Sequence, residues 1–170
     1  EADEIHLHRA GEDAAPGDLI ANGRFGLGLG QGYTPAEFAG FGIPRNERAA
    51  RLEEGVEVIR GMWTQDSFSY SGKHYTLENI SMTPKPAQTP HPPLWIGAGQ
   101  KKAVERVARL GCHFLGTSDP LAQDIYDAAL RVHGRDPKDY HAAQQRWVYV
   151  APTSEQAWED VQDHLHYMLA

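Results

Sequence analysis

Residues 94–116 read LWIGAGQKKAVERVARLGCHFLG, and this stretch holds the fold in miniature. Leu94-Trp95-Ile96-Gly97 is a short apolar run closed by glycine. Val104, Val107 and Ala108 follow at the i, i+3, i+4 spacing that lines one face of a helix. Cys112 to Gly116 is then apolar again. A strand, a helix and a second strand in so short a span form a βαβ unit, whose helical crossover makes the two strands parallel.

The same alternation extends in both directions. Upstream, Arg24-Phe25-Gly26-Leu27-Gly28-Leu29-Gly30 alternates with period two, which predicts a strand over 24–30. Asn46, after Pro44, is a good N-cap for a helix carrying Leu52, Val56, Ile59 and Trp63 on one face, with Glu47–Arg51 as an i,i+4 pair. Downstream, Leu121, Ile125, Ala128 and Val132 predict a helix, closed by Gly134 and Pro137. A strand is expected at 145–150. Thr153-Ser154-Glu155-Gln156 then has the form of a capping box, opening a helix that buries Trp158, Val161, Leu165 and Met168.

Four strand–helix pairs after an initial helical segment define an α/β fold with a parallel sheet, half of a TIM-barrel type (α/β)8 fold. A whole barrel takes roughly 250 residues, and this chain has 170. The expectation is one domain over 1–170, an incomplete barrel of about four βα units, either a fragment or a naturally shortened form. Residues 64–93 read as an insertion within it: a hairpin around Ser71-Gly72, then a loop with five prolines between Pro84 and Pro93. Open strand edges invite pairing with another chain, so a homo-oligomer is expected.

Composition narrows the function. Hydrophobic residues make up 41% and charged residues 23%, the balance of an ordered globular chain. A net charge of −7 argues against a nucleic-acid partner, which requires clustered Lys and Arg. No apolar run reaches membrane-spanning length. The acidic start and the single cysteine point to the cytoplasm.

Two glycine-rich stretches are candidate binding elements. Gly26-Leu27-Gly28-Leu29-Gly30-Gln31-Gly32 lacks the G-x-G-x-x-G spacing of a dinucleotide fingerprint. Glycines at every second position leave one strand face bare, making room for a flat ring or for bulky neighbours. Gly97-Ala98-Gly99-Gln100-Lys101 lies where a strand passes into a helix. Free N–H groups and the helix dipole favour an anion there, although a plain βα connection reads the same way. The nine histidines include His6-x-His8 and His164-x-His166, pairs too short of further ligands for a metal site. Cys112 reads as a small buried residue.

Taken in order, these segments resemble the luciferase-like, flavin-dependent monooxygenases. Asn22-Gly23-Arg24-Phe25 with Gly28-Leu29-Gly30-Gln31-Gly32-Tyr33 carries the resemblance, as do Glu37-Phe38, Phe41-Gly42-Ile43-Pro44, Glu47-Arg48 and Arg51-Leu52-Glu53-Glu54. So do Pro84-Lys85-Pro86, His91-Pro92-Pro93-Leu94-Trp95-Ile96-Gly97 and Ala108-Arg109-Leu110-Gly111. The resemblance runs from about His6 to Leu165. It implies an FMN-dependent enzyme that reacts reduced FMN with O2 to oxygenate a small organic substrate, with a separate flavin reductase supplying the cofactor. The phosphate would sit at Gly97, Ala98, Gly99, Gln100 and Lys101, with Gly30, Gly32 and Tyr33 near the flavin ring or the substrate. Sister families use deazaflavin F420, so an F420-dependent oxidoreductase is the alternative, and a non-catalytic flavin-binding or structural partial barrel a further one. No catalytic acid or base is assigned. Two departures stand out: the phosphate turn contains no serine, and Pro16-Gly17 interrupts the first helix. An interior Pro costs about 3 kcal/mol and Gly about 1 kcal/mol relative to Ala, which predicts a kink or a break there.

Overall fold

The computed structural model describes residues 5–116 and 121–169. Helix α1 (Ile5–Ile20) leads to strand β1 (Leu27–Leu29), a short helix α2 (Pro35–Gly40), a single 3-10 turn at Arg45–Glu47 and helix α3 (Arg48–Thr64). A hairpin of β2 (Phe68–Ser71) and β3 (Thr76–Ile80) and a proline-rich loop come next. The chain returns to the main sheet with β4 (Leu94–Gly97), α4 (Lys101–Leu110), β5 (His113–Gly116), α5 (Leu121–Val132), β6 (Ala142–Gln144) and α6 (Ser154–Leu169).

The main sheet has the order β1-β4-β5-β6. Every neighbouring pair in it is parallel, with Gly28 opposite Trp95, Trp95 opposite His113, and Leu115 opposite Ala143. Residues opposite one another project to the same side, so the register sorts the sheet into two faces. One face turns Leu94, Ile96 and Phe114 into the core beneath the helices. The other carries Gly28, Trp95, Gly97, His113, Leu115 and Ala143, and a Cβ added at Gly28 or Gly97 would meet open space. In a closed barrel this is the interior face.

Helix α3 is the central element of the core. Leu52, Val56, Ile59 and Trp63 are all buried, and Trp63 Nε1 donates to the Gly11 carbonyl of α1 at 2.8 Å. Arg60 ties α3 to the end of α4, donating to the Leu110 carbonyl at 2.6 Å and the Gly111 carbonyl at 2.8 Å. Glu54 accepts from the backbone N–H groups of Lys73, His74 and Tyr75, which fastens the hairpin to the same helix. Lys85 donates to the Met62 and Gln65 carbonyls and so caps the exposed end of α3.

Four local expectations are corrected. Helix α1 runs without interruption through Pro16 and Gly17. Burial outweighs propensity there: Ala14, Ala15 and Asp18 are buried, and Gly17 lies against the Phe25 ring. Helix α3 starts at Arg48 and not at Asn46, because residues 45–47 tighten into the 3-10 turn. The last strand is at 142–144, where it pairs with β5, whereas 145–150 is irregular. Helix α6 begins at Ser154, capped by Thr153, whose Oγ1 accepts from Gln156 N–H at 3.2 Å. It buries neither Trp158 nor Met168, which are exposed and line an open groove with Trp147, Val148 and Tyr149.

Asp18 is the one buried charged side chain among the described residues. Its Oδ2 accepts the Gln88 backbone N–H at 2.9 Å and its Oδ1 the Gln88 side-chain amide at 2.7 Å. Gln88 in turn donates to the Phe25 carbonyl, so this contact joins α1, the approach to β1 and the proline-rich loop. Burial alone would raise the Asp18 pKa, but these hydrogen bonds together hold it below the ordinary 3.8. A depressed carboxylate contributes stability that is complete above the unfolded-state pKa and lost as pH falls through the folded one. Asp18→Asn should therefore lower stability by about 2 kcal/mol at pH 7 and flatten the acid limb below pH ~4. Urea denaturation across pH 2–7 checks this, and an unchanged acid limb would contradict it.

Candidate functional site

The carboxyl ends of parallel strands lie on one edge of a sheet, which is where α/β barrels place their active sites. At that edge a cavity of 210 Å³ is lined by Gln31, Gly32, Tyr33, Arg45, Arg48, Gly99, Gln100 and Ala103. Three segments meet there: the turn after β1, the entry to α3, and the turn from β4 into α4.

Each segment has a local reason for its shape. Gly32 turns the chain at φ +72°, and a Cβ there would stand 2.9 Å from the Phe38 ring. The path from β1 into α2 therefore requires glycine. Helix α4 begins after Gln100, whose side chain makes no capping hydrogen bond, and no acidic residue stands in its first turn. The helix start is thus electrically positive and uncapped by side chain. Arg48 Nη1 donates to the Arg45 carbonyl at 2.8 Å, which fixes the arginine-bearing turn.

The structure brings Gly32, Tyr33, Gly99 and Gln100 into one cavity. Lys101 lies elsewhere: its ammonium is 3.9 Å from Glu105, and both residues line the groove between α4 and α5. Gly97 and Ala98 stand one step below, with Ala98 N–H donating to the Leu115 carbonyl at 3.2 Å. Gly30 ends the glycine strand just before the cavity. A Cβ on Gly28, Gly30 or Gly97 would meet no heavy atom within 4 Å, so these positions form an open trough on the interior face.

An aromatic layer closes the trough towards the amino ends of the strands. Trp95 lies 4.8 Å from His113 between ring centroids, and His113 lies 5.2 Å from His141. The Trp95 indole nitrogen is 3.1 Å from where a Gly26 Cβ would stand, so the indole lies directly on that glycine. His113 Nδ1 accepts the His141 backbone N–H at 3.0 Å, which assigns the proton of the neutral ring to Nε2. Burial first, and the neighbouring His141 second, lower the His113 pKa and favour that neutral form.

The sequence reading missed Arg45 and Arg48. Their signal was visible: both sit at the start of α3, where the helix dipole disfavours cations. Cys112 is buried, and burial pushes its thiol pKa up, so it is no activated nucleophile. Among the described residues no three His, Cys, Asp or Glu side chains gather into a metal-ligating group. No described helix is long and apolar enough to cross a membrane.

A parallel α/β sheet with a cationic cavity at the carboxyl ends of its strands defines part of an (α/β)8-barrel enzyme fold. The sequence profile of the luciferase-like monooxygenases matches residues 6–169, and the chain belongs to that family. An FMNH(2)-dependent dimethylsulfone monooxygenase of Pseudomonas putida is 33% identical over 104 residues, covering 59% of this chain and 29% of the relative. The monooxygenase RslO1 of Streptomyces bottropensis superposes with a TM-score of 0.83 at 24% identity, covering 96% of this chain and 52% of that one. An F420-dependent secondary alcohol dehydrogenase, solved with an F420-acetone adduct, superposes with a TM-score of 0.82 at 20% identity, covering 92% and 50%. The chain therefore spans about half the length of these solved structures and less of the curated relative.

Proposed function

We propose that this chain supplies the phosphate-anchoring half of an FMN-dependent monooxygenase acting on a small organic substrate. The observation that carries the reading is the cavity in which Arg45 and Arg48 face the uncapped start of α4. No carboxylate lines it, and the donors present suit a phosphate. Gly99 and Gln100 would bring backbone N–H groups to the phosphate, and the two guanidiniums would neutralise its charge. Two cations and a helix dipole favour the dianion of a phosphomonoester, as in FMN, over a deazaflavin that carries its phosphate as a monoanionic diester.

From that anchor the open trough over Gly28, Gly30 and Gly97 leads along the interior face, wide enough for a flat ring because no side chain fills it. Leu115 and the Trp95–His113 layer would keep water from the inner end of the trough, and the neutral His113 avoids placing a cation there. Reduced FMN would supply the two electrons of the reaction. One atom of O2 enters the substrate and the other leaves as water. A separate flavin reductase would regenerate the cofactor, with the cytoplasm as the natural compartment.

Self-association belongs to the same proposal. Among the described residues, strands β1 and β6 each have an unpaired edge, and Trp147, Val148, Val150, Trp158 and Met168 are exposed. Sedimentation at micromolar concentration should show dimers or larger species, and a stable monomer would contradict this.

Titration with oxidised flavins by fluorescence quenching tests the anchor. FMN should bind at least about tenfold more tightly than riboflavin, which lacks the phosphate. Gly99→Val should weaken FMN more than Lys101→Ala, because it obstructs several N–H groups while Lys101 already faces Glu105. Equal affinities for FMN and riboflavin would remove the basis for the anchor.

A further inference from the structure

Gln31 lines the cavity, and its amide oxygen has a partner within the protein. Its Oε1 accepts from Arg106 Nη1 at 3.4 Å. Arg106 is in turn held by Glu53, whose Oε1 takes Arg106 Nε and Arg109 Nη2, each at 2.7 Å. Arg106 is 21% exposed and Glu53 30%, while Arg109 stands further into solvent at 46%, so the Arg106–Glu53 contact is partly sheltered between α3 and α4. It joins the three segments that enclose the cavity: Glu53 belongs to α3, Arg106 to α4, and Gln31 to the turn after β1.

A glutamine amide has one acceptor end and one donor end. We propose that Arg106, set by Glu53, is a positioning residue that holds the Gln31 carbonyl so that the amide NH2 is the end presented to the bound phosphate. An unrestrained amide samples both ends in the free chain, so part of the binding free energy would go into turning the NH2 towards the anion. The guanidinium fork suits the task because one face grips the carboxylate while another N–H reaches the amide. Arg106 itself is absent from the cavity lining, so its charge acts through Gln31 rather than as a third cation on the ligand.

This inference rests on the phosphate reading of the cavity, and one experiment separates the two. FMN and riboflavin are titrated against the parent chain, Gln31→Leu, Arg106→Met and the double variant. Gln31→Leu should lose about tenfold in FMN affinity, the size of one hydrogen bond to a charged group, and Arg106→Met a smaller loss of about two- to threefold, with riboflavin unchanged for both. The double variant should bind FMN no worse than Gln31→Leu, because Arg106 has nothing left to orient. Arg106→Lys keeps a charge opposite Glu53 without the fork, so it should behave like Arg106→Met and serves where that variant folds poorly. Additive losses, an unaffected Gln31→Leu, or parallel losses for FMN and riboflavin would overturn the positioning role. A parent chain that fails to prefer FMN would overturn the phosphate reading itself.

Discussion

Parallel pairing of β1 with β4 is the constraint on which the rest depends. Two parallel strands cannot be joined by a tight turn, so the chain must cross the sheet and return. Here the crossing takes α2, α3, the hairpin and the proline-rich loop before β4 pairs with β1. Its result is directional. All four strands of the main sheet end on the same edge, and the turns that leave β1 and β4 meet there. The cavity is the place where two of those turns and the start of α3 meet, so it exists only because the strands run the same way.

That constraint also separates structural from functional residues. On the helix-covered face, Leu94, Ile96 and Phe114 are buried in the core that the helices share and account for cohesion. On the interior face, Gly28, Gly30 and Gly97 leave open space, and Trp95 with His113 fills the end remote from the cavity. The ion pairs follow the same division. Arg60 serves the end of α4, whereas Glu53, Arg106 and Arg109 lie beside the cavity and tie its walls together.

Much of this was legible before the structure. The βαβ unit from Leu94 to Gly116 stood out because a short apolar run, a helical stripe and Gly111 each favour the same arrangement locally, and Gly111 does end α4 at φ +61°. The core face of α3 was legible for the same reason. Helix α1 was misjudged because propensity counts the local cost of Pro16 but not the burial of Ala14, Ala15 and Asp18 around it. The shift of the last strand to Ala142–Gln144 has a similar origin. The run from Trp147 to Val150 is the more β-prone, but pairing with β5 is decided by register, and these apolar residues remain exposed. The arginines of the cavity lie more than fifty residues from Gly99 and Gln100, a proximity that only the crossover creates.

The central claim is that a flavin phosphate is held jointly by Arg45, Arg48 and the start of α4. A crystal structure of the chain grown with FMN tests it most directly. The account predicts phosphate density in the cavity, within hydrogen-bond distance of an arginine nitrogen and of a backbone N–H at the start of α4, with the ring extending along Gly28 and Gly97. Phosphate density at the groove beside Lys101 and Glu105, or a ring on the helix-covered face of the sheet, would contradict it.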